Sequence, residues 1–179
     1  LAISAVAEIK KSIPNIKLII AGTGDDESRL KEIVSEMKLE DNVSFLGFVN
    51  EVKKQELLAK SWVYVNPSSK EGWGIVNIEA NYYGTPVVGF NVFGVRDSVK
   101  DGYSGYLAEN FQDFVNKLLK ALKSENGELE TMQKNAINWA SKFNWEDTVK
   151  IFDKEIAKQT GSRTVKKKVN KEVDVLVSA

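Results

Sequence analysis

Residues 62–90 read WVYVNPSSKEGWGIVNIEANYYGTPVVGF. Aromatic and β-branched residues dominate both ends of this stretch, at 62–66 and 87–90, and predict two strands. The helical segment between them begins at Gly74 or Ile75 and ends before a Gly-Thr-Pro sequence. A strand, a helix and a second strand with short connections predict two parallel strands joined by a crossover helix.

The same alternation continues upstream of this stretch. An apolar run at 16–21 (IKLIIA) and an alternating run at 43–47 (VSFLG) predict two more strands, of which the first is expected to be buried. Three helical patterns accompany these strands, at 1–12, 27–38 and 50–60. Strand and helix therefore alternate four times, which predicts an α/β fold with a Rossmann-like, doubly wound parallel sheet and helices on both faces.

Downstream of residue 110 the pattern becomes entirely helical. The predicted helices lie at 111–123, at about 128–142, and from Asn144 onward. Asn144 is a candidate N-cap, as are Asp25 and Asp26 for the helix at 27–38. We expect one domain over residues 1–158, followed by a tail, 159–179, that contains three consecutive lysines.

Composition excludes several classes of function. The 179 residues carry 25 basic and 25 acidic side chains, so no broad electrostatic field favours nucleic acid. There is no cysteine and no histidine, which excludes disulfides and thiolate metal sites and removes the commonest general base. No apolar run is long enough to span a membrane. Because Leu1 already lies in a helical pattern, we expect the chain to be part of a longer protein.

Glycines and polar residues cluster where the predicted strands end, which is the edge at which parallel α/β sheets bind ligands. Gly22-Thr23-Gly24 follows the first strand, although a plain turn with a helix cap fits this sequence equally well. Gly47-Phe48-Val49 follows the second strand, and residues 67–74 follow the third. Trp62 and Tyr64, which lie on the third strand itself, are expected in the core.

The loop at 67–74 and the helix behind it predict an anion site. Its two glycines allow close backbone approach, and a helix N-terminus presents free N–H donors and a positive dipole end. Packing explains the isoleucines and Ala80 of this helix, but it does not explain both Glu71 and Glu79. Two carboxylates would repel a phosphate, so we infer that they bind hydroxyl groups. A nucleotide sugar offers a ribose on one side of its diphosphate and a hexose on the other.

These residues carry a resemblance. PSSKEGWGIVNIEA followed by YGTPVV is similar to the donor half of the large family of retaining GT-B glycosyltransferases (group 1, family 4 type), whose signature is Glu, seven residues, Glu and Ala. LIIAGTG, VSFLGFV, the loop VRDSVKDGYSGYL before the last strand, and KFNW resemble other segments of that family. The resemblance covers residues 1–158 and implies the C-terminal, donor-binding domain, one half of a GT-B fold.

The resemblance implies specific roles at the site. Glu71 would be the catalytic residue, contacting the transferred sugar near the reacting carbon, and Glu79 would hold the ribose hydroxyls. Phe48 and Val49 would border the base. The remaining implied donor-binding residues are Gly24, Glu51, Lys54, Gly72, Trp73, Gly74 and Ile75.

The resemblance also implies what the complete protein would do. It would move a sugar from a nucleoside diphosphate (NDP) sugar to an acceptor hydroxyl with retention of configuration, using no metal and no other cofactor. The acceptor, a glycan or a lipid, would bind an N-terminal domain that is absent here, together with the first strand and the cationic clamp of the diphosphate. This chain alone would then be inactive. The alternatives are a GT-B epimerase or phosphorylase and a non-catalytic nucleotide-sugar-binding module.

The remaining predictions concern the cellular location of the protein and its C-terminal tail. We expect a cytoplasmic protein, with membrane association open for the full-length form. The absent first strand would lie centrally, between 16–21 and 62–66. VDVLVS, residues 173–178, is apolar and β-branched, and it is a candidate to fill that position; a surface extension is the alternative.

Overall fold

The computed structural model describes residues 1–124 and 127–160. Eight helices and five strands are found within these ranges. In chain order they are α1 (Ala2–Lys10), β1 (Leu18–Ala21), α2 (Glu27–Glu36), β2 (Val43–Gly47), α3 (Glu51–Lys60), β3 (Tyr64–Asn66), α4 (Ile75–Tyr82), β4 (Val87–Phe90), α5 (Val95–Ser98), β5 (Gly105–Ala108), α6 (Phe111–Leu122), α7 (Glu128–Ala140) and α8 (Trp145–Thr160).

All strand pairs are parallel, as the sequence predicts, but they form two sheets rather than one. In the first sheet β1 pairs with β2, with Leu18 opposite Val43. In the second, β4 lies between β3 and β5, with Val87 opposite Tyr64 and Gly105. Within the described residues no strand pairing links the two sheets.

An apolar groove of about 570 Å³ separates β1 from β3. Its walls come from these two strands and from α1 and α6. The Leu18 N–H donates to the Asn42 carbonyl on the β2 side (2.7 Å), and the Tyr64 N–H donates to the Pro86 carbonyl on the β4 side (2.8 Å). Each strand therefore bonds on the side away from the groove. The groove lies at the predicted central position, between β1 and β3.

The predicted occupant of that position is not tested by the structure. Residues 173–178 lie outside the described part of the chain, so their insertion between β1 and β3 stays a prediction. The domain boundary expected at residue 158 also stays a prediction, because nearly all of the tail that would follow it lies outside the described residues.

Helices cover both faces of the second sheet, which confirms the doubly wound arrangement. Val87 and Val88 are adjacent on β4 and fully buried, and they point to opposite faces. On one face α1 and α6 contribute Ile9, Phe114 and Leu118 to a core cluster with Val88. On the other face the helices α3, α4 and α5 surround Val87, with a cluster that comprises Leu58, Ala80, Val95, Val99 and Leu107.

Several local expectations were wrong. β1 is half-buried on one face only: Leu18 and Ile20 pack against a core cluster, whereas Ile19 is exposed and lines the groove. Trp62 precedes the shorter β3 and is 61% exposed, so it is not a core residue. The predicted N-cap position of Asp26 in α2 is confirmed, although its carboxylate pairs with Arg29 and makes no capping hydrogen bond. Residues 95–107, expected as a loop, contain α5 and the start of β5.

The chain divides into two units. The first, residues 1–142, contains both sheets, and the second begins at Phe143, with α8 as its described helix. The predicted N-cap of α8 is confirmed, since Asn144 Oδ1 accepts a hydrogen bond from the Asp147 N–H at 2.8 Å. No helix within residues 1–124 and 127–160 is long and apolar enough to cross a bilayer.

Candidate functional site

The turn into α4 requires glycine. Gly74 is the N-cap residue, with φ of +80°, a conformation that side-chain-bearing residues rarely adopt. A Cβ atom at this position would lie 2.5 Å from Asn77 Nδ2. Within the described residues no side chain caps α4, and the Asn77 N–H donates to the Gly74 carbonyl at 2.9 Å. The anion site that the sequence predicts at this helix start stays a prediction.

Glu71 is held within this loop. Its Oε1 accepts a hydrogen bond from the Gly72 N–H at 3.1 Å, and its Oε2 lies 3.4 Å from Ser68 Oγ, which donates to it. A second loop packs against the same segment at Gly94, where a Cβ atom would lie 2.5 Å from the Glu71 carbonyl oxygen. Gly94 has φ of +82°, so glycine is favoured there by conformation and by space.

Glu79 forms an ion pair that joins α4 to α3. Lys54 Nζ lies 3.0 Å from Glu79 Oε1 and 2.9 Å from Oε2, and 3.1 Å from Glu51 Oε1. The hydrogen bond with Glu79 is the largest cause that raises the pKa of Lys54, and Glu51 adds to it. Lys54 therefore remains charged at neutral pH and fixes Glu79 in a partly exposed position.

Tyr64, the first residue of β3, is influenced by the charges of both carboxylates. Burial raises the pKa of the Tyr64 phenol, and the negative charges of Glu71 and Glu79 raise it further, whereas the Lys54 charge opposes them. Tyr64 packs against the core cluster that contains Leu58, as expected. Glu71 itself lies in the loop that follows β3, and Glu79 lies on α4, the helix that this loop enters.

The other predicted site residues also follow the carboxyl ends of strands, in this case those of β1 and β2. Phe48 follows β2 and is 83% exposed, which is unusual for a large apolar side chain, and Val49 beside it is partly buried. Gly24 is exposed behind β1. In the part of the chain that the structure describes, no hydrogen bond joins Gly24 or Phe48 to Glu71 or Glu79. The structure thus places Glu71 and Glu79 in the loop and helix that follow β3, and Gly24 and Phe48 after the strands of the other sheet.

Two more predicted site residues, Trp73 and Ile75, lie in the Gly-Trp-Gly loop and at the start of α4. Trp73 is partly buried between its two glycines. Ile75 is 65% exposed, so the expectation that packing explains this isoleucine was wrong. The first residue of α4 faces solvent because the buried side of the helix is formed by Asn77, Ala80 and Asn81.

Sequence reasoning missed several residues of this site. Tyr64 has the pattern of a core strand residue, and Gly94 lies just before the segment 95–107, where the sequence analysis singled out no residue. The buried side chains of Asn66, Asn77 and Ser98 were also missed. A signal existed for Asn77, because it lies three residues before Ala80 on the buried side of α4, where an apolar residue is the usual choice.

No group of three or more His, Cys, Asp or Glu side chains within residues 1–124 and 127–160 is arranged to hold a metal ion. The acidic residues of the site are instead engaged by a lysine, a serine and a backbone N–H. The described residues therefore present hydrogen-bonding groups and a helix N-terminus.

The sequence profile of the family described as "Glycosyl transferases group 1" matches residues 1–139. The chain belongs to this family. Among curated relatives of this glycosyltransferase chain, the poly(glycerol-phosphate) alpha-glucosyltransferase of Bacillus subtilis is 31% identical over 179 residues, covering 90% of the chain and 26% of the relative. The N-acetyl-alpha-D-glucosaminyl L-malate synthase of Bacillus anthracis is 35% identical over 107 residues, or 60% of the chain and 27% of the relative.

Solved structures agree with this assignment. HepE of Anabaena, crystallised with UDP and glucose, is 26% identical, with a TM-score of 0.71 over 89% of this chain and 43% of that protein. The pneumococcal O-GlcNAc transferase GtfA, crystallised with UDP and GlcNAc, has a TM-score of 0.77 over 90% of this chain and 33% of that protein; at 24% identity it supports the fold alone. The chain therefore spans about a quarter of the length of the curated relatives named above.

Proposed function

We propose that this chain is the donor-binding half of a retaining glycosyltransferase, which moves a sugar from an NDP-sugar to an acceptor hydroxyl. The observation that carries the proposal is that Glu71 is held in the loop entering α4 while Glu79 is fixed on α4 by Lys54, in a chain whose family is glycosyl transferases group 1. A helix N-terminus suits a diphosphate, and carboxylates suit hydroxyl groups. One site thus offers groups for each part of a nucleotide sugar.

The two glutamates take different parts of the donor. Glu79, fixed by Lys54, accepts hydrogen bonds from the ribose hydroxyls. Glu71 contacts the transferred sugar beside the reacting carbon, and the backbone of residues 72–75 meets the sugar and the diphosphate. Exposed Phe48, with Val49, borders the base. HepE of Anabaena, which was crystallised with UDP and glucose, supports a donor of this class.

Departure of a nucleoside diphosphate builds negative charge, which needs cations or oriented dipoles. The Lys54 ammonium forms ion pairs with Glu79 and Glu51, so it is not available to bind the diphosphate. In the proposal, the start of α4 and cations from a preceding segment of the complete protein stabilise this charge without a metal. The acceptor, a glycan or a lipid, binds another domain of the same protein. A cytoplasmic location, with membrane association when the acceptor is a lipid, belongs to this proposal.

Thermal unfolding of the complete protein with UDP-, GDP- and ADP-sugars tests the donor class. A ligand present at about 100 times its dissociation constant stabilises the folded protein by about 2.7 kcal/mol, which is readily measured. We expect at least one NDP-sugar to raise the melting temperature, whereas the free sugar at equal concentration does not. No stabilisation by any NDP-sugar would contradict the proposed function.

A further inference from the structure

A chain of hydrogen bonds runs from α5 to the loop that carries Glu71. Ser98 Oγ accepts a hydrogen bond from Asn77 Nδ2 at 2.8 Å, and Asn77 Oδ1 accepts one from Asn66 Nδ2 at 3.0 Å. Asn66 Oδ1 in turn accepts from the Ser68 N–H at 3.1 Å. Ser68 Oγ then donates to Glu71 Oε2, at 3.4 Å. We call these four residues, from Ser98 to Ser68, the polar relay.

Three residues of the polar relay are buried where apolar packing would be expected, and the fourth, Ser68, is half-buried. Asn77 and Ser98 are fully buried and Asn66 nearly so, between the core cluster around Val87 and the site. Buried polar groups cost free energy unless they are bonded, and a fully bonded network fixes one arrangement of its members. Every contact named above pairs a donor with an acceptor, so the relay restricts the segments it joins to a single geometry.

The polar relay lies directly against Gly74 and is anchored at Gly94. A Cβ atom at Gly74 would lie 2.5 Å from Asn77 Nδ2 and 3.2 Å from Ser98 Oγ. The far end of the relay is also anchored, because Ser98 Oγ lies 2.9 Å from the Gly94 carbonyl, to which it donates. Gly94 is the residue whose loop packs against Glu71. The relay therefore joins both loops that contact Glu71, one through Asn66 and one through Ser98.

We propose that Asn77 is a positioning residue for the transfer step: through the polar relay it sets the position of the Glu71 carboxylate against the donor sugar. This inference rests on the proposed function and adds a residue that contacts neither the sugar nor the nucleotide. Glu79 is on the same helix but is fixed separately by Lys54. Loss of the relay should therefore affect turnover much more than it affects binding of the nucleoside diphosphate.

A purely structural role is the competing explanation, and the chain offers matched controls for it. Asn81 lies four residues after Asn77 on the same helix and is equally buried, but its Nδ2 donates to the Thr85 and Ser104 carbonyls, away from Glu71. Ser104 is as buried as Ser98, and its Oγ accepts from the Lys100 N–H. Substitutions at Asn81 and Ser104 thus report the cost of losing a buried polar group as such.

The experiment compares Asn77→Leu with Asn81→Leu, and Ser98→Ala with Ser104→Ala, in the complete protein. For each variant kcat and KM are measured with the NDP-sugar that the wild type uses, and the dissociation constant of the corresponding nucleoside diphosphate is measured by calorimetry. We expect Asn77→Leu and Ser98→Ala to lower kcat roughly tenfold or more, with diphosphate affinity changed by less than about threefold. The Asn81 and Ser104 variants should lose thermal stability without this fall in kcat.

The possible results distinguish failure of the positioning role from failure of the proposed function. If Asn77→Leu does not fold, the serine pair decides alone, since Ser98→Ala removes a single oxygen atom. Equal effects on kcat within each matched pair, with an active wild type, would overturn the polar relay as a positioning device and leave the proposed function standing. A wild type that neither binds a nucleoside diphosphate nor turns over any NDP-sugar would overturn both.

Discussion

Gly72 and Gly74 flank Trp73 in the sequence, yet the structure gives them different roles. Gly74 has positive φ and touches Asn77, so a side chain there is strained whether or not a ligand is bound. Gly72 is exposed, has no positive φ, and a Cβ atom there would meet nothing within 4 Å. Of the two positions, only Gly72 can report on ligand approach without disturbing the fold.

We therefore predict opposite effects for two alanine substitutions. Gly74→Ala should lower the free energy of unfolding by about 1–3 kcal/mol, because alanine is forced into a left-handed conformation. Gly72→Ala should leave stability nearly unchanged but lower affinity for a nucleoside diphosphate roughly tenfold, since the methyl group blocks close backbone approach. Denaturant unfolding and calorimetry of both variants check this. Unchanged affinity in Gly72→Ala would place the diphosphate elsewhere.

At the level of single residues, the sequence identifies candidate site residues when their type is unusual for their position. Glu71, Glu79 and the glycines were found because a carboxylate or a glycine beside a helix start needs a reason. Tyr64 was not found, because an aromatic residue on a strand is ordinary core. Asn77 was not found either, since its partners come from β3 and α5, which are distant in sequence. Side chains whose role depends on distant partners are the ones that local patterns miss.

Among the elements, α6 shows how local hydrogen bonds fix a helix start. Asn110 Oδ1 accepts from the Asp113 N–H at 3.0 Å, and Asp113 Oδ2 accepts from the Glu109 N–H at 3.0 Å. Lys117 Nζ donates to the same Asp113 oxygen at 2.9 Å. The Lys117 bond, followed by the Glu109 bond, lowers the pKa of Asp113. The folded state thus favours the charged carboxylate.

This arrangement predicts a pH dependence of stability. A lowered folded-state pKa means that Asp113 stabilises the fold above its unfolded pKa, near 3.8, and that this stabilisation is lost as pH falls through the folded value. Asp113→Asn should cost about 1 kcal/mol at pH 7. The difference from wild type should shrink below about pH 4. Thermal unfolding from pH 2 to 7 measures it, with exposed Glu40→Gln as the control. A difference that is constant with pH would contradict the assignment.

Elements defined by local periodicity were predicted closely. β2, α3 and β4 begin and end within a residue of the predicted positions, because alternation, helix caps and turn residues are local signals. What covers a strand is not local. The exposed face of β1 and the exposed Trp62 follow from the absence of described chain against them, which a sequence pattern does not encode.

For the whole molecule, the two sheets are separated at the position where the sequence predicts an absent central strand. An apolar groove lies there, between β1 and β3. The residues of the site belong to both sheets: Gly24, Phe48 and Val49 follow strands of the first, and Glu71 and Glu79 follow β3 of the second. Donor binding as proposed requires the two carboxyl edges to act together, which is why the complete protein is the proper subject of each binding experiment.

The measurement that tests the central claim most directly is calorimetric titration of a nucleoside diphosphate into the complete protein, comparing wild type, Glu79→Ala and Glu71→Ala. Glu109→Ala, at the exposed carboxyl end of β5, is the control. A diphosphate carries the ribose but not the transferred sugar. Glu79→Ala should therefore lower affinity roughly tenfold or more, while Glu71→Ala changes it by less than about twofold and abolishes most turnover. Equal affinity losses in both variants, or none in Glu79→Ala, would contradict the account.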